Sequence, residues 1–296
     1  MGLASSPRAV SKVVQHIRSA GATVSLIQFL EAPQQDLRVT SVKLLMLLSP
    51  HMDQELADGL RVTTKQLGTV IKLLALEGPL EEQAAAAQLL SNLPMKDIHL
   101  TRAMLDEGAL SLLIKRLDDL KRGIVRIGDR RYMASLQTGI VGILARFTYA
   151  LDDRTILDLA IDHNLAELFT SLLQSAGLDD VQISAALALE NLSVKSKQLS
   201  EVPDLPQPKG VWMNLFGCIK KPPAPIGLCQ VHSGVCSARE TFCLLSANAI
   251  VPLVSCLDHR NTGVVEASIG ALSTLLMDTV DIERGAVVSC PLIILL

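Results

Sequence analysis

Residues 181–193 read VQISAALALENLS, and their spacing decides the fold. Ala185, Ala188, Leu189 and Leu192 fall at i, i+3, i+4 and i+7, which is one apolar stripe along a helix. The small members of the stripe let a second helix approach closely. The register recurs in four other places: Ser41, Leu44, Leu45 and Leu48; Ala86, Leu89, Leu90 and Leu93; Ile140, Ile143, Leu144 and Phe147; Ser268, Ala271, Leu272 and Leu275. Pro94 follows one copy directly and ends its helix, because proline has no N–H to continue the ladder. The stripes end at 48, 93, 147, 192 and 275, so the gaps are 45, 54, 45 and 83 residues. A recurring gap of this size is the signature of a stacked helical repeat of roughly 40–47 residues.

A second apolar helix precedes each stripe, at residues 24–30, 70–76, 110–117, 165–173 and 250–257. A turn residue stands near the start of each: Gly21, Gly68, Gly108, Asn164 and Asn248. Shorter helical segments, such as 100–106 and 156–162, come before the turn. A short helix, a bend and two longer helices make an armadillo repeat, whereas a HEAT repeat lacks the short first helix. The sequence therefore predicts an all-α, armadillo-repeat, right-handed superhelical solenoid of about five repeats over residues 1–296.

The bulk properties fit. The 296 residues are 49% hydrophobic but only 3% aromatic, as a core of Leu, Ile, Val and Ala requires. A net charge of −3 is too small to steer nucleic acid, so none is expected as a partner. No run approaches the ~20 apolar residues of a membrane span. Residues 1–20 show no continuous apolar core of a leader, so the six Cys are expected to be reduced thiols in a cytoplasmic protein.

Two stretches interrupt the period. Residues 115–131 carry seven Lys and Arg against three Asp, a basic insertion in the third repeat. Lys121, Arg122, Arg126, Arg130 and Arg131 form a candidate docking patch for acidic partners or anionic lipid, set against the plainer reading of a solvated loop. Residues 199–238 hold Pro203, Pro206, Pro208, Pro222, Pro223 and Pro225, which forbid a continuous helix and make this a long irregular insertion. It contains Cys218, Cys229, His232 and Cys236, with Cys243 just beyond. Zinc asks for four tetrahedral ligands, usually as two close pairs, and no CxxC is present; the spacing favours half-buried thiols, so no metal and no cofactor are expected. The tail at 287–296 is apolar, as is the stripe of Val13, Val14 and Ile17 near the start. With no polar cap on either, weak self-association is expected.

Several blocks resemble the armadillo array of the plant U-box E3 ubiquitin ligases of the senescence-associated type. They are LIQFLEAPQQDLRV (26–39), LLSPHMDQELADGL (47–60), TRAMLDEGA (101–109), ALENLS (188–193), GLCQVHSGVCSARETFCLL (227–245) and VVEASIGALSTLL (264–276). The block with Cys and His is the most specific, because the repeat pattern does not demand it. The resemblance implies that this chain matches the carboxy-terminal array without the U-box that recruits a ubiquitin-charged E2. It implies binding of substrates or regulators and, in some members, peripheral association with the plasma membrane.

Three functions are open at this point: a protein–protein interaction scaffold, a fragment of an active ubiquitin-protein transferase, or a truncated product without independent function. No HExxH, GxGxxG or Walker loop supports another enzyme, and the chain alone is not expected to be one. In peptide-binding armadillo proteins an Asn just before the last apolar residue of the stripe bonds the ligand backbone. That position holds Asn92, Arg146 and Asn191, the candidate partner-binding residues, but Leu47 and Thr274 in the other two repeats. For the two Asn residues, capping of a helix C-terminus is the competing role.

Overall fold

Four residues with left-handed backbone mark the same bend in four different repeats: Gly21 at φ 59°, Gly108 at 76°, Asn164 at 47° and Asn248 at 55°. Gly and Asn enter this region at least cost, which is why these types stand there. Asn164 also caps the helix that follows. Its Oδ1 accepts from the Glu167 N–H at 3.4 Å, and its Nδ2 donates to Glu167 Oε2 at 2.7 Å. Gly68, expected at the equivalent bend, lies inside a helix instead. There the turn falls at Thr63, whose hydroxyl donates to the Gly59 carbonyl at 2.7 Å.

The structure, a computed structural model, describes residues 7–75, 78–122, 130–175, 177–200, 244 and 247–275; at 7, 130, 131 and 197–200 the backbone alone is described. The helices fall into triplets. The first is α1 (Pro7–Ser19), α2 (Thr23–Gln28, continued by a 3-10 turn) and α3 (Gln35–Leu48). The second is α4 (Asp53–Val62), α5 (Thr64–Leu73) and α6 (Leu80–Ser91). The third is α7 (Ile98–Asp106), α8 (Ala109–Lys121) and α9 (Arg130–Phe147). The fourth is α10 (Arg154–Asp162), α11 (Leu165–Leu172) and α12 (Asp179–Ser200). α13 (Ile250–Ser255) and α14 (Thr262–Leu275) are the second and third members of a fifth. The chain divides into two units, Met1–Ile156 and Leu157–Leu296.

Each predicted stripe is the buried edge of a third helix. Ala185, Ala188, Leu189 and Leu192 are all 0% exposed, and so are Ile140, Ile143, Leu144 and Phe147. Within the first unit, α6 packs between α3 and α9. Ala84–Ala87 keep α6 thin, and Gly139 of α9 rests on it. A Cβ built at Gly139 would stand 2.6 Å from Ala87 Cβ and 2.7 Å from the Ala87 carbonyl carbon, so only glycine fits. In the second unit α12 and α14 lie side by side in the same way.

The basic insertion expected at 115–131 begins later than its charge pattern implied. Residues 115–121 close α8, because Leu113 and Leu117 hold the buried register to its last turn. Of the insertion expected at 199–238, residues 199 and 200 belong to α12; from 201 the stretch lies outside the described residues, as do Cys218, Cys229, His232, Cys236, Cys243 and the tail at 287–296. Among the described residues no helix is long and apolar enough to cross a membrane.

Candidate functional site: the open faces of the third helices

A third helix buries one side in its own repeat and its flanks against neighbours, which leaves one face for a ligand. In the first unit, Thr40, Lys43 and Leu47 share that face on α3 at i, i+3 and i+7; Glu81 and Gln88 share it on α6; Ser135 and Thr138 share it on α9. The polar groups of this face are spent on one another. Lys43 Nζ pairs with Glu81 Oε1 at 2.8 Å, and Gln88 Nε2 donates to the Ser135 carbonyl at 2.8 Å. Gly142 sits against Ser91, with room for a Cβ only at 3.0 Å. Leu47 is an exposed large apolar side chain on this face.

Two expected binding residues meet at the lower end of α6. Asn92 is the C-cap of that helix, and its Nδ2 donates to Ser49 Oγ at 2.9 Å. Ser49 is fully buried and donates in turn to the Met46 carbonyl at 2.8 Å, so Asn92 ties α6 to the end of α3. Arg146, which occupies the matching place on α9, is 0% exposed. Its Nη2 donates to the Leu93 carbonyl at 2.6 Å and to the Leu90 carbonyl at 3.1 Å, while Nη1 donates to the Pro94 carbonyl. These are the orphan acceptors of a helix C-terminus, and a buried cation there also meets the negative end of the helix dipole. Burial lowers the Arg146 pKa to about 10, and the Asp97 carboxylate works against that shift. The guanidinium therefore remains charged at neutral pH and faces inward. Sequence reasoning placed Arg146 among groups offered to a partner; in the structure it braces α6 from within.

Asn191, the third expected residue, is half-buried on α12 in the second unit. The open face of α12 lies beside it, on Ile183, Leu187, Glu190 and Val194 at i, i+4, i+7 and i+11. On α14, Glu266, Ile269 and Ser273 are exposed. Two glycines bring the helices together: a Cβ at Gly263 would come within 3.0 Å of Ile183 Cδ1, and one at Gly270 within 2.9 Å of Glu190 Oε2. Ile183 and Glu190 thus lie over α14, and the two stripes form one surface. Val194 is 43% exposed and Ile269 is 53% exposed. No signal singled out this face in the sequence, although it is the complement of the buried stripe.

The basic run is not a uniform patch. Arg116 is buried, with Nη2 donating to Gln83 Oε1 at 2.5 Å, and burial lowers its pKa. Lys121 and Arg122 are exposed, with Arg122 paired to Asp118 at 2.7 Å. Arg126 lies outside the described residues, and the side chains of Arg130 and Arg131 do too. Among the described residues no group of three or more His, Cys, Asp and Glu is arranged to hold a metal ion.

Triplets of helices, with a left-handed bend ahead of the second helix in four of the five repeats and third helices packed side by side within each unit, define an armadillo-repeat fold. Solved structures agree: a designed armadillo repeat protein aligns over 88% of this chain with a TM-score of 0.58 at 17% identity. A second one, solved in complex with the peptide (KR)4, aligns over 90% with a TM-score of 0.57 at 17% identity. No protein-family model matches the chain. Curated relatives match closely. U-box domain-containing protein 44 of Arabidopsis thaliana is 43% identical over 288 residues, which is 96% of this chain and 36% of the relative. U-box domain-containing protein 24 of Oryza sativa is 44% identical over 299 residues, 97% of this chain and 35% of the relative. The chain is therefore the homologue of an armadillo part of plant U-box proteins, and it spans about a third of the length of those relatives.

Proposed function

We propose that the chain is a protein-recognition array that selects substrates or regulators for a U-box ubiquitin ligase, and that it performs no ubiquitin transfer itself. The observation that carries this is identity of 43% and above, sustained over 96% of the chain, to plant U-box proteins. The open faces of the third helices supply the surface. They are ridged by side chains from consecutive repeats, so an extended polypeptide crossing them meets a new helix about every 10 Å. The designed neighbour solved with (KR)4 supports peptide recognition as a use of this architecture.

Random peptides displayed on phage and panned on the full chain test the reading. Enriched peptides are expected, with binding lost when an exposed third-helix residue such as Leu47 or Ile269 is changed to Asp. A library that yields no peptide sensitive to either change would sink the proposal. In a reaction with E1, a panel of E2s and ubiquitin, the chain alone is expected to form no polyubiquitin.

A further inference from the structure

The open face of α12 and α14 has a composition unlike a solvated surface. Ile183, Leu187, Val194 and Ile269 give it apolar ground, with Val194 and Ile269 substantially exposed. Glu190 and Glu266 give it negative charge. Neither 183–194 nor α14 contains a Lys or Arg; the first basic residue is Lys195, beyond the end of the stripe. In the first unit Glu81, an acid on the open face of α6, has Lys43 at 2.8 Å. No ion pair is formed by Glu190 or Glu266 among the described residues. Gly263 and Gly270 let α12 and α14 approach closely, with Ile183 Cδ1 and Glu190 Oε2 against the positions a Cβ would take.

We infer that this face docks an extended segment of a partner polypeptide in which an aliphatic side chain recurs at every third position with Lys or Arg beside it. The inference rests on the protein-recognition reading above and specifies the partner chemistry. A chain in the polyproline II conformation rises about 3.1 Å per residue with three residues per turn, so every third side chain returns to the same side. Neighbouring helix axes lie about 8–10 Å apart. A segment crossing from α12 to α14 therefore sets an aliphatic residue against Leu187 and another against Ile269 about three residues on. The basic residues near them meet Glu190 and Glu266. The apolar contacts supply the affinity, because burying each aliphatic side chain removes it from water. The carboxylates select against acidic segments and speed encounter with basic ones.

Fluorescence anisotropy on the full chain tests this with three short labelled peptides of equal length, repeating Leu-Lys-Ser, Leu-Glu-Ser and Ser-Lys-Ser. The Leu-Lys-Ser peptide is expected to bind saturably, and the other two about tenfold more weakly or worse. The double variant Glu190→Lys/Glu266→Lys should reverse the preference between the Lys and Glu peptides. Ile269→Asp should weaken binding about tenfold, while Leu47→Asp in the first unit should leave it unchanged. Circular dichroism melts of each variant confirm that it is folded. Equal affinity for the Lys and Glu peptides, or indifference to the double charge reversal, overturns the inference. Library peptides that bind through Leu47 while the Leu-Lys-Ser peptide fails would also overturn it, yet leave the recognition reading standing. Failure of every peptide sinks both.

Discussion

The two units of the chain present third-helix faces of opposite character. In the first, lysine meets glutamate, glutamine meets a backbone carbonyl, and a glycine lies on a serine, so polar groups close on one another. In the second, Glu266, Val194 and Ile269 are exposed, Glu190, Ile183 and Leu187 are half-buried beside them, and no basic residue lies between. The buried stripe is common to both and fixes the fold. The open face is free to differ, because nothing in the stacking of helices constrains it. Function in such an array is written on the side the repeat pattern leaves unspecified, and cohesion in the first unit has used part of that side.

If the first unit is built for cohesion, breaking its inner ties should cost more than anything done to the open face of the second. Removing Arg146 should have the largest effect. Arg146→Ala strands the Leu90, Leu93 and Pro94 carbonyls and opens a cavity, and is expected to destabilise by about 3 kcal/mol in urea denaturation of the full chain. Gly139→Ala comes next, at about 2 kcal/mol, because the new methyl group collides with Ala87 and the helices must part. Asn92→Ala, which removes the bond to Ser49, should cost about 1 kcal/mol. By contrast, Glu266→Gln on the exposed face of α14 should change stability by less than about 0.5 kcal/mol.

Acid should separate the units most gently. The Thr69 hydroxyl and Lys65 hold the Glu31 carboxyl below its ordinary pKa, and Arg18 does the same for Glu55. Both groups lie in the first unit. A carboxyl whose folded pKa is depressed contributes stability above its unfolded pKa and loses it as pH falls through the folded one. The first unit should therefore weaken from about pH 5 downward, by less than about 1 kcal/mol for each of these half-exposed groups. Thermal melts of Glu31→Gln against pH check this, with a flatter acid limb expected than for the parent chain.

Much of the fold was legible because it depends on local periodicity. The residues at i, i+3, i+4 and i+7 in four of the five stripes are all buried, and in the remaining one Leu44 alone is half-buried. Gly21, Gly108, Asn164 and Asn248 announced the bends because few residue types tolerate positive φ. Gly68 misled, since a glycine can also serve close packing, and here the Glu107 carboxylate lies over it. The site was less legible. Arg146 looks like a polar residue on a groove, and its inward turn depends on carbonyls that Pro94 leaves open fifty-odd residues earlier in the chain. Asn92 stands at the end of α6 with right-handed backbone, and its link to Ser49 needed the three-dimensional register of α3 against α6. The outward stripe of α12 could have been found by shifting the buried stripe to the opposite side of the helix.

Hydrogen exchange on the full chain, with and without the Leu-Lys-Ser peptide, tests the contrast between the two faces most directly. The amides of α12 and α14 are expected to gain protection when the peptide binds, while α3, α6 and α9 remain unchanged. Protection that appears on α3, α6 and α9 instead, or spreads equally over both units, would contradict the account.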